Sequence, residues 1–343
     1  MKKTRAHATL ADVAARAGVG KATVSRVING ARKVSPETLE RVNQAICELG
    51  FQPSQAARSL KGATTKTVGL VLPRIGDPFF ASCTEAAQTV VRSHGYLLTV
   101  AATDYDPQIE IDQIYTLFRH RVDGILLAPS NSASKKLAAV VDQIKIPVVA
   151  FNHPLQNSSV QSVVSDNYGG AKAATEHLIE HRRRRILCLG GDAKLYSIQE
   201  RQKGYRAAMR EADLVTAIED APNDYSAVEE LLRSKCLRKN PPEAIFAVRN
   251  VITIYAFQAL QKMGLRIPED VALIGFDDFD LACTLRPAVS VVKQPVEAIG
   301  AQAAELLFRQ LQSKPLAQAS KKSNISRLTA TLVLRNSCGC HPH

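Results

Sequence analysis

Thr9-Leu10-Ala11-Asp12-Val13-Ala14-Ala15-Arg16-Ala17-Gly18-Val19-Gly20-Lys21-Ala22-Thr23-Val24-Ser25-Arg26-Val27-Ile28-Asn29 reads as two short helices joined by a tight turn. Thr9 and Asp12 are spaced so that a hydroxyl and a carboxylate satisfy the free N–H groups of a first helical turn. Leu10, Val13, Ala14 and Ala17 then share one face. Gly18 supplies the left-handed residue that ends a helix. A second helix starts near Lys21, with Val24, Val27 and Ile28 turned inward. Ser35-Pro36-Glu37 opens a third, with Ser35 as N-cap and Pro36 at the first helical position. Leu39, Val42, Ile46 and Leu49 are expected on its buried face, and Gly50 stops it. Three such helices bury one small core and leave the second free to lie in a DNA major groove.

The rest of the chain is of another kind. Apolar runs at 68–72, 97–101, 124–128 and 148–151 alternate with helical stretches near 79–94, 107–120 and 134–144. A second series has runs at 186–190, 244–248, 271–276 and 289–292, separated by helices near 168–181, 197–213, 225–235 and 250–264. Strands that are apolar throughout and joined by helices predict parallel sheets covered on both faces, here in two lobes.

Composition agrees with a small basic head on a larger body. The 343 residues exceed one ordinary domain, and the net charge is +12. Residues 1–62 hold 11 Lys and Arg against 4 Asp and Glu, a surplus of +7, so much of the charge lies on the helical head. No apolar run suits secretion or a membrane span, which predicts a cytoplasmic protein. The seven cysteines (47, 83, 188, 236, 283, 338, 340) are odd in number and mostly scattered, as expected of reduced thiols. The chain lacks a Gly-x-Ser-x-Gly elbow, a phosphate-binding Gly-x-x-x-x-Gly-Lys-Ser/Thr loop and a His-Glu-x-x-His helix, and no enzyme activity or cofactor is expected.

Thr9-Leu10-x-Asp12-Val13-Ala14, then Thr23-Val24-Ser25-Arg26-Val27-Ile28-Asn29, then Ala57-Arg58-Ser59-Leu60 resemble the lactose-repressor (LacI) family of bacterial transcription regulators. The resemblance implies an all-α helix-turn-helix head (1–53), a hinge helix and linker (54–66), an α/β two-lobed periplasmic-binding-protein-like domain of type I with parallel sheets (67–336), and a tail (337–343). It also implies three chain crossings between lobes, near 164, 292 and 325. A homodimer placing two heads on a near-palindromic operator follows, most simply a repressor switched by a small sugar-like effector. A solute-binding protein would need export and have no use for the head. An enzyme on the same lobes would need a reactive cluster in the cleft.

In such a family the recognition helix reads bases with its first residues, here Lys21, Ala22 and Arg26. Arg26 suits a two-toothed contact to guanine, and Ala22 offers only a methyl. Thr23, Ser25 and Asn29 suit phosphate contacts, and Leu10 and Lys33 complete the candidate DNA-facing set. Gly20 stands where the family usually places a Ser cap. Leu60 matches a hinge leucine that enters the minor groove, and Ala57 a small residue that lets two hinges pack.

For the cleft, Asp77-Pro78-Phe79-Phe80 follows the first strand, with Asp77 at a helix start and Phe79 and Phe80 as candidate sugar contacts. Asp277 matches a carboxylate that accepts sugar hydroxyls, and Gln294 lies at a crossing. In Gln199-Glu200-Arg201-Gln202-Lys203-Gly204-Tyr205 the resemblance puts Gln199 where a clamping arginine is usual, with Arg201 also in the candidate set. Arg249-Asn250 replaces the usual Asn-Asp. A guanidinium there either grips an effector carboxylate or phosphate, or pairs with Asp277. Two stretches are assigned no site: His181-Arg182-Arg183-Arg184-Arg185 is expected to be a solvated basic loop. Cys338-Gly339-Cys340-His341-Pro342-His343 carries soft donors but lacks a second ligand cluster of standard spacing, and is expected to be a frayed terminus without metal.

Overall fold

The computed structural model describes residues 8–28, 34–51, 64–191, 195–312 and 325–340. They fall into two compact units, Met1–Thr65 and Lys66–His343. The N-terminal arm, Asn29, Lys33 and the hinge residues Ala57 and Leu60 lie outside the described residues.

The head contains α1 (Leu10–Ala17), α2 (Lys21–Ile28) and α3 (Pro36–Leu49). Thr9 and Asp12 close a reciprocal capping box: the Asp12 amide donates to Thr9 Oγ1 at 3.3 Å and the Thr9 amide to Asp12 Oδ2 at 2.7 Å. Gly18 ends α1 at φ 65°, and Gly50 ends α3 at φ 58°. Val13, Ala14, Ala17, Val24, Val42, Ala45 and Phe51 form the core. Leu39 and Leu49 are not in it, being 43% and 36% exposed. The 14-residue α3 is longer than the 8-residue helices it packs against, so its middle turns take the burial and Ala45 replaces the end leucines.

The second unit opens with β1 (Thr67–Leu72), α4 (Pro78–Ser93), β2 (Leu97–Ala102), α5 (Pro107–Arg119), β3 (Gly124–Leu127), α6 (Lys135–Ile144), β4 (Val148–Phe151) and β5 (Gln161–Ser165). There follow α7 (Asn167–Glu180), β6 (Ile186–Leu189), α8 (Tyr196–Glu211), β7 (Ala217–Glu219), α9 (Tyr225–Cys236), β8 (Ala244–Ala247), α10 (Asn250–Lys262), β9 (Ala272–Phe276), β10 (Ser290–Lys293), α11 (Val296–Gln312), β11 (Ile325–Leu328) and β12 (Thr331–Val333). The strands make two six-stranded sheets, ordered β11-β5-β4-β3-β1-β2 and β12-β10-β9-β8-β6-β7, parallel except for β12 against β10.

The eight predicted strands and seven predicted helices of this unit are all present, and the sheets they build are parallel as expected. The sequence did not reveal β5, β7, β11, β12 or α11. The strands β7, β11 and β12 are short and lie at or next to a sheet edge, only half buried, so they lack a continuous apolar run. The chain crosses between lobes at the β5–α7, β10–α11 and β11–β12 junctions, close to the expected points.

Two glycines set how closely helices approach. A Cβ on Gly204 would lie 2.2 Å from the Tyr168 carbonyl oxygen, so glycine lets α8 seat on α7. A Cβ on Gly300 would meet the Cys83 carbonyl oxygen at 2.2 Å, where α11 crosses α4. Tyr205, beside Gly204, is fully buried; its hydroxyl donates to the Ile186 carbonyl at 2.7 Å and accepts from the Ala217 amide at 2.9 Å.

The expectation of a frayed tail is corrected for residues 337–340. Ser337 Oγ donates to the Leu273 carbonyl at 2.6 Å and accepts from the Ser290 amide at 2.8 Å, and Cys338 is completely buried. The basic loop is largely exposed as expected, with Arg185 tied to Glu243 at 2.9 Å. Among the described residues, no helix is long and apolar enough to cross a membrane.

Candidate ligand cleft and DNA-reading helix

Residues beyond the C-terminal ends of the strands converge on a cleft of about 580 Å³, as open parallel sheets dispose their ligand sites. Beyond β1 stand Asp77 and Phe79, beyond β4 Asn152 and His153, beyond β8 Arg249, beyond β9 Asp277 and beyond β10 Gln294. Ser197, Ile198 and Arg201 face it from the first turns of α8. Asp277 sits at φ 73° and Asn152 at φ 64°, left-handed positions that Asp and Asn tolerate better than most side chains.

At the floor, Arg201 is only 3% exposed. Its Nη1 and Nη2 donate to Asp277 Oδ2 and Oδ1 at 3.1 and 3.4 Å, its Nε to Asn167 Oδ1 at 2.8 Å and its Nη1 also to the Val248 carbonyl at 2.7 Å. The guanidinium carbon lies 3.7 Å from the Phe276 ring centre, a cation–π contact. Burial draws the Arg201 pKa down and Asp277 opposes that shift, so the charge is retained by its partner. Gln294 Nε2 donates to Asp277 Oδ1. Gln294 Oε1 is buried with no partner, a group whose desolvation costs about 1–3 kcal/mol unless a donor reaches it.

The walls combine apolar and polar groups. Phe79 is half-buried and meets Phe80 edge-on at 5.2 Å; Phe80 meets Phe151 at 6.4 Å. Asp77 caps α4 by accepting from the Phe79 amide at 2.9 Å, and burial followed by repulsion from Asp277 raises its carboxyl pKa. His153 is buried between the lobes. Its Nδ1 lies 2.9 Å from the Pro129 carbonyl oxygen, which can only accept, so Nδ1 carries the proton and Nε2 accepts from Ser197 Oγ at 3.1 Å. Burial holds the imidazole pKa down at about 4. Arg249 lines the cleft at the start of α10, and among the described residues it takes part in no ion pair.

In the head, Gly20 immediately precedes α2, and its carbonyl accepts from the Thr23 and Val24 amides at 2.8 and 3.2 Å. Val24 points into the core, while Lys21, Ala22 and Arg26 are exposed and Thr23 and Ser25 half-exposed on the remaining faces. Leu10 packs partly against the head core.

Residues 9–54 match the family of bacterial regulatory proteins, lacI family, and residues 65–333 the periplasmic binding proteins and sugar binding domain of LacI family. The chain belongs to the LacI family. It is a DNA-binding transcription regulator with a two-lobed effector domain, and the head has no place in a plain solute-binding protein. A ribose operon repressor from Halalkalibacterium halodurans is 34% identical, over 90% of this chain and 92% of the relative. A PurR repressor from Aliivibrio salmonicida is 30% identical, over 90% and 93%. Among solved structures, a transcriptional regulator CelR–cellobiose complex aligns at TM-score 0.69 and 32% identity, over 96% of this chain and 99% of that one. The lac repressor dimer bound to operator and the anti-inducer ONPF aligns at TM-score 0.86 over 97% and 99%, and at 21% identity it shows the fold alone.

Of the cleft residues expected in this LacI-family chain, Phe79, Arg201, Arg249, Asp277 and Gln294 come together. Phe80 also borders the cleft but is only 2% exposed, and it packs mainly as core behind Phe79. Gln199 is exposed and does not line the cleft. Helix geometry explains the correction: 199 and 201 are about 200° apart around α8, whereas 197, 198 and 201 share a face. The arginine of this helix that faces the cleft is therefore Arg201, the second charged position of the motif, and not residue 199. The alternative of an Arg249–Asp277 pair is not what is seen, since Asp277 pairs with Arg201. His153, Ser197 and Asn167 were missed. Ser197 is detectable in principle, lying one turn before Arg201, but His153 carries no motif.

Proposed function

We propose that this regulator is a cytoplasmic, homodimeric repressor of a near-palindromic operator, switched by a sugar-derived anion, a sugar acid or sugar phosphate, held by Arg249. The observation that carries the effector class is the division of labour between two arginines. Arg201 is consumed by Asp277, Asn167 and Val248, while Arg249 has no ion-pair partner among the described residues and faces the same cleft. A guanidinium so placed offers two parallel donors to a carboxylate or phosphate. The free lone pairs of Asp277 and the unpartnered Gln294 Oε1 suit sugar hydroxyls, and Phe79 a sugar ring face.

The effector acts through its unequal affinity for two lobe arrangements, which changes how well paired hinges and heads sit on DNA. The operator contacts fall to Lys21, Ala22, Thr23, Ser25, Arg26 and Asn29, with Leu60 and Ala57 in the hinge. Calorimetric titration of the purified protein with neutral sugars and the matching sugar acids and phosphates tests the effector class, with Arg249→Asn alongside. The expected result is one anion bound at least tenfold more weakly by the variant. Equal binding of neutral sugars and anions, unaffected by the substitution, would refute it.

A further inference from the structure

The C-terminal turn and the end of α7 bring together four soft donors that the cleft does not use. His177 in the last turn of α7 and His181, the residue that caps it, are four residues apart, with ring centres 4.6 Å apart. The tail supplies Cys338 and Cys340 around Gly339, whose φ of 99° turns the chain between them. Cys340 Sγ lies 3.3 Å from both His177 Nε2 and His181 Nε2. The donor atoms of His177, Cys338 and Cys340 all lie within 4.8 Å of one another, and His181 stands just outside this triad, touching it at Cys340.

We propose that His177, His181, Cys338 and Cys340 form a structural site for one tetrahedral zinc ion. With zinc–nitrogen and zinc–sulfur bonds near 2.0 and 2.3 Å, neighbouring donors in such a site are about 3.3–3.8 Å apart, so the triad needs only to tighten while the exposed His181 side chain turns in as the fourth ligand. Two thiols and two imidazoles select zinc over hard cations such as magnesium or calcium. The His-x-x-x-His spacing is usual for zinc, and the Cys-x-Cys half is tighter than usual. The surroundings supply outer support: Ser290 Oγ donates to Cys338 Sγ at 3.1 Å, a bond that a coordinated thiolate keeps.

The effect of the ion follows from what these residues join. Arg335, three positions before Cys338, donates two bonds to Asp278 at 3.0 Å, one residue past Asp277, and Ser337 bonds to β9 and to the first residue of β10. Zinc would therefore pin the end of the chain to α7 and brace the strands that carry Asp277 and Gln294, away from the ligand itself.

Cobalt(II) is the probe. The full-length protein, kept reduced with a phosphine and freed of metal by chelation, is titrated with cobalt(II) alone. The expected spectrum has thiolate-to-cobalt charge transfer and the strong visible bands of a tetrahedral ion, saturating at one equivalent per chain and bleached by zinc. Cys340→Ser should abolish the bands and His181→Ala weaken them at least tenfold in affinity. His181 is exposed and Cys340 half-buried, and circular dichroism checks that the variants fold. Cys47→Ser and a chain ending at Cys340 should leave the bands intact. Absence of tetrahedral bands, bands that survive Cys340→Ser, or bands lost on removal of residues 341–343 would each overturn the site.

Discussion

Arg201 and Asp277 face each other as a fork-to-fork ion pair beneath the cleft, with nitrogen–oxygen distances of 3.1 and 3.4 Å, and the Phe276 ring lies against the guanidinium at 3.7 Å. The pair joins α8 to the end of β9, so it is both a brace within the second lobe and the floor on which a ligand rests. Arg201→Ala should lower the stability of the second unit by about 2–3 kcal/mol, because buried Asn167 loses its donor and the half-buried Asp277 its counter-charge. Urea unfolding reads this directly. Arg201→Lys should recover little, since an ammonium cannot reach Asp277, Asn167 and Val248 at once.

Two buried groups titrate against each other. Burial raises Glu110 from 4.5 to about 7, where it still accepts from the Ser130 amide at 2.8 Å, and burial lowers His153 from 6.5 to about 4. For Glu110 the folded state holds the proton between about pH 4.5 and 7, so its contribution to stability falls as pH rises. For His153 the unfolded state holds the proton between about pH 4 and 6.5, so its contribution grows with pH. The two nearly cancel in the wild type. Glu110→Gln should expose a rise in stability approaching about 1.4 kcal/mol per pH unit between pH 4.5 and 6.5, and His153→Gln a fall of similar slope. Identical pH profiles for both variants would contradict the assignment.

Asp77 lies in the same cleft as Arg249, and its carboxyl pKa is raised by burial and then by Asp277. As pH falls through that raised value Asp77 loses its charge, so a sugar acid whose carboxylate stays ionised should bind more tightly. Asp77→Asn keeps a capping side chain for α4 and should remove this pH dependence. Calorimetry at two pH values separates the cases; a variant that retains the wild-type dependence would exclude Asp77 as its source.

The head predicts a different signature. Arg26→Ala should cost about 1–3 kcal/mol on the specific operator and relax the preference at a single base pair, with little loss on unrelated DNA. Leu60→Ala should likewise weaken operator binding much more than nonspecific binding. Equal losses on both DNAs in gel-shift titrations would remove these residues from sequence reading.

Local chemistry was legible in the sequence where it acts over a few residues. The Thr9–Asp12 box, the Ser35 and Asp77 caps and the apolar strands follow from neighbours in the chain, and they set the fold. Arg249 was visible as a cation displaced within a motif. Gln199 was misplaced because a motif of alternating residues on a helix has only one member facing inward, and spacing alone did not say which. His153 meeting Ser197, and Cys340 meeting His177 across 163 residues, depend on how the lobes and tail pack, for which no local pattern exists. Edge strands escaped notice because half-burial leaves them without a continuous apolar run.

The central claim is that occupancy of the cleft is coupled to operator affinity through Arg249. The most direct test is fluorescence anisotropy on an operator selected from a random duplex pool, with and without a saturating amount of the tightest-binding anion from the calorimetric panel. A change of at least tenfold in operator affinity, in either direction, that disappears in Arg249→Asn is the predicted result. Operator affinity that stays the same at saturating ligand would contradict the account, because a ligand with equal affinity for both arrangements controls nothing.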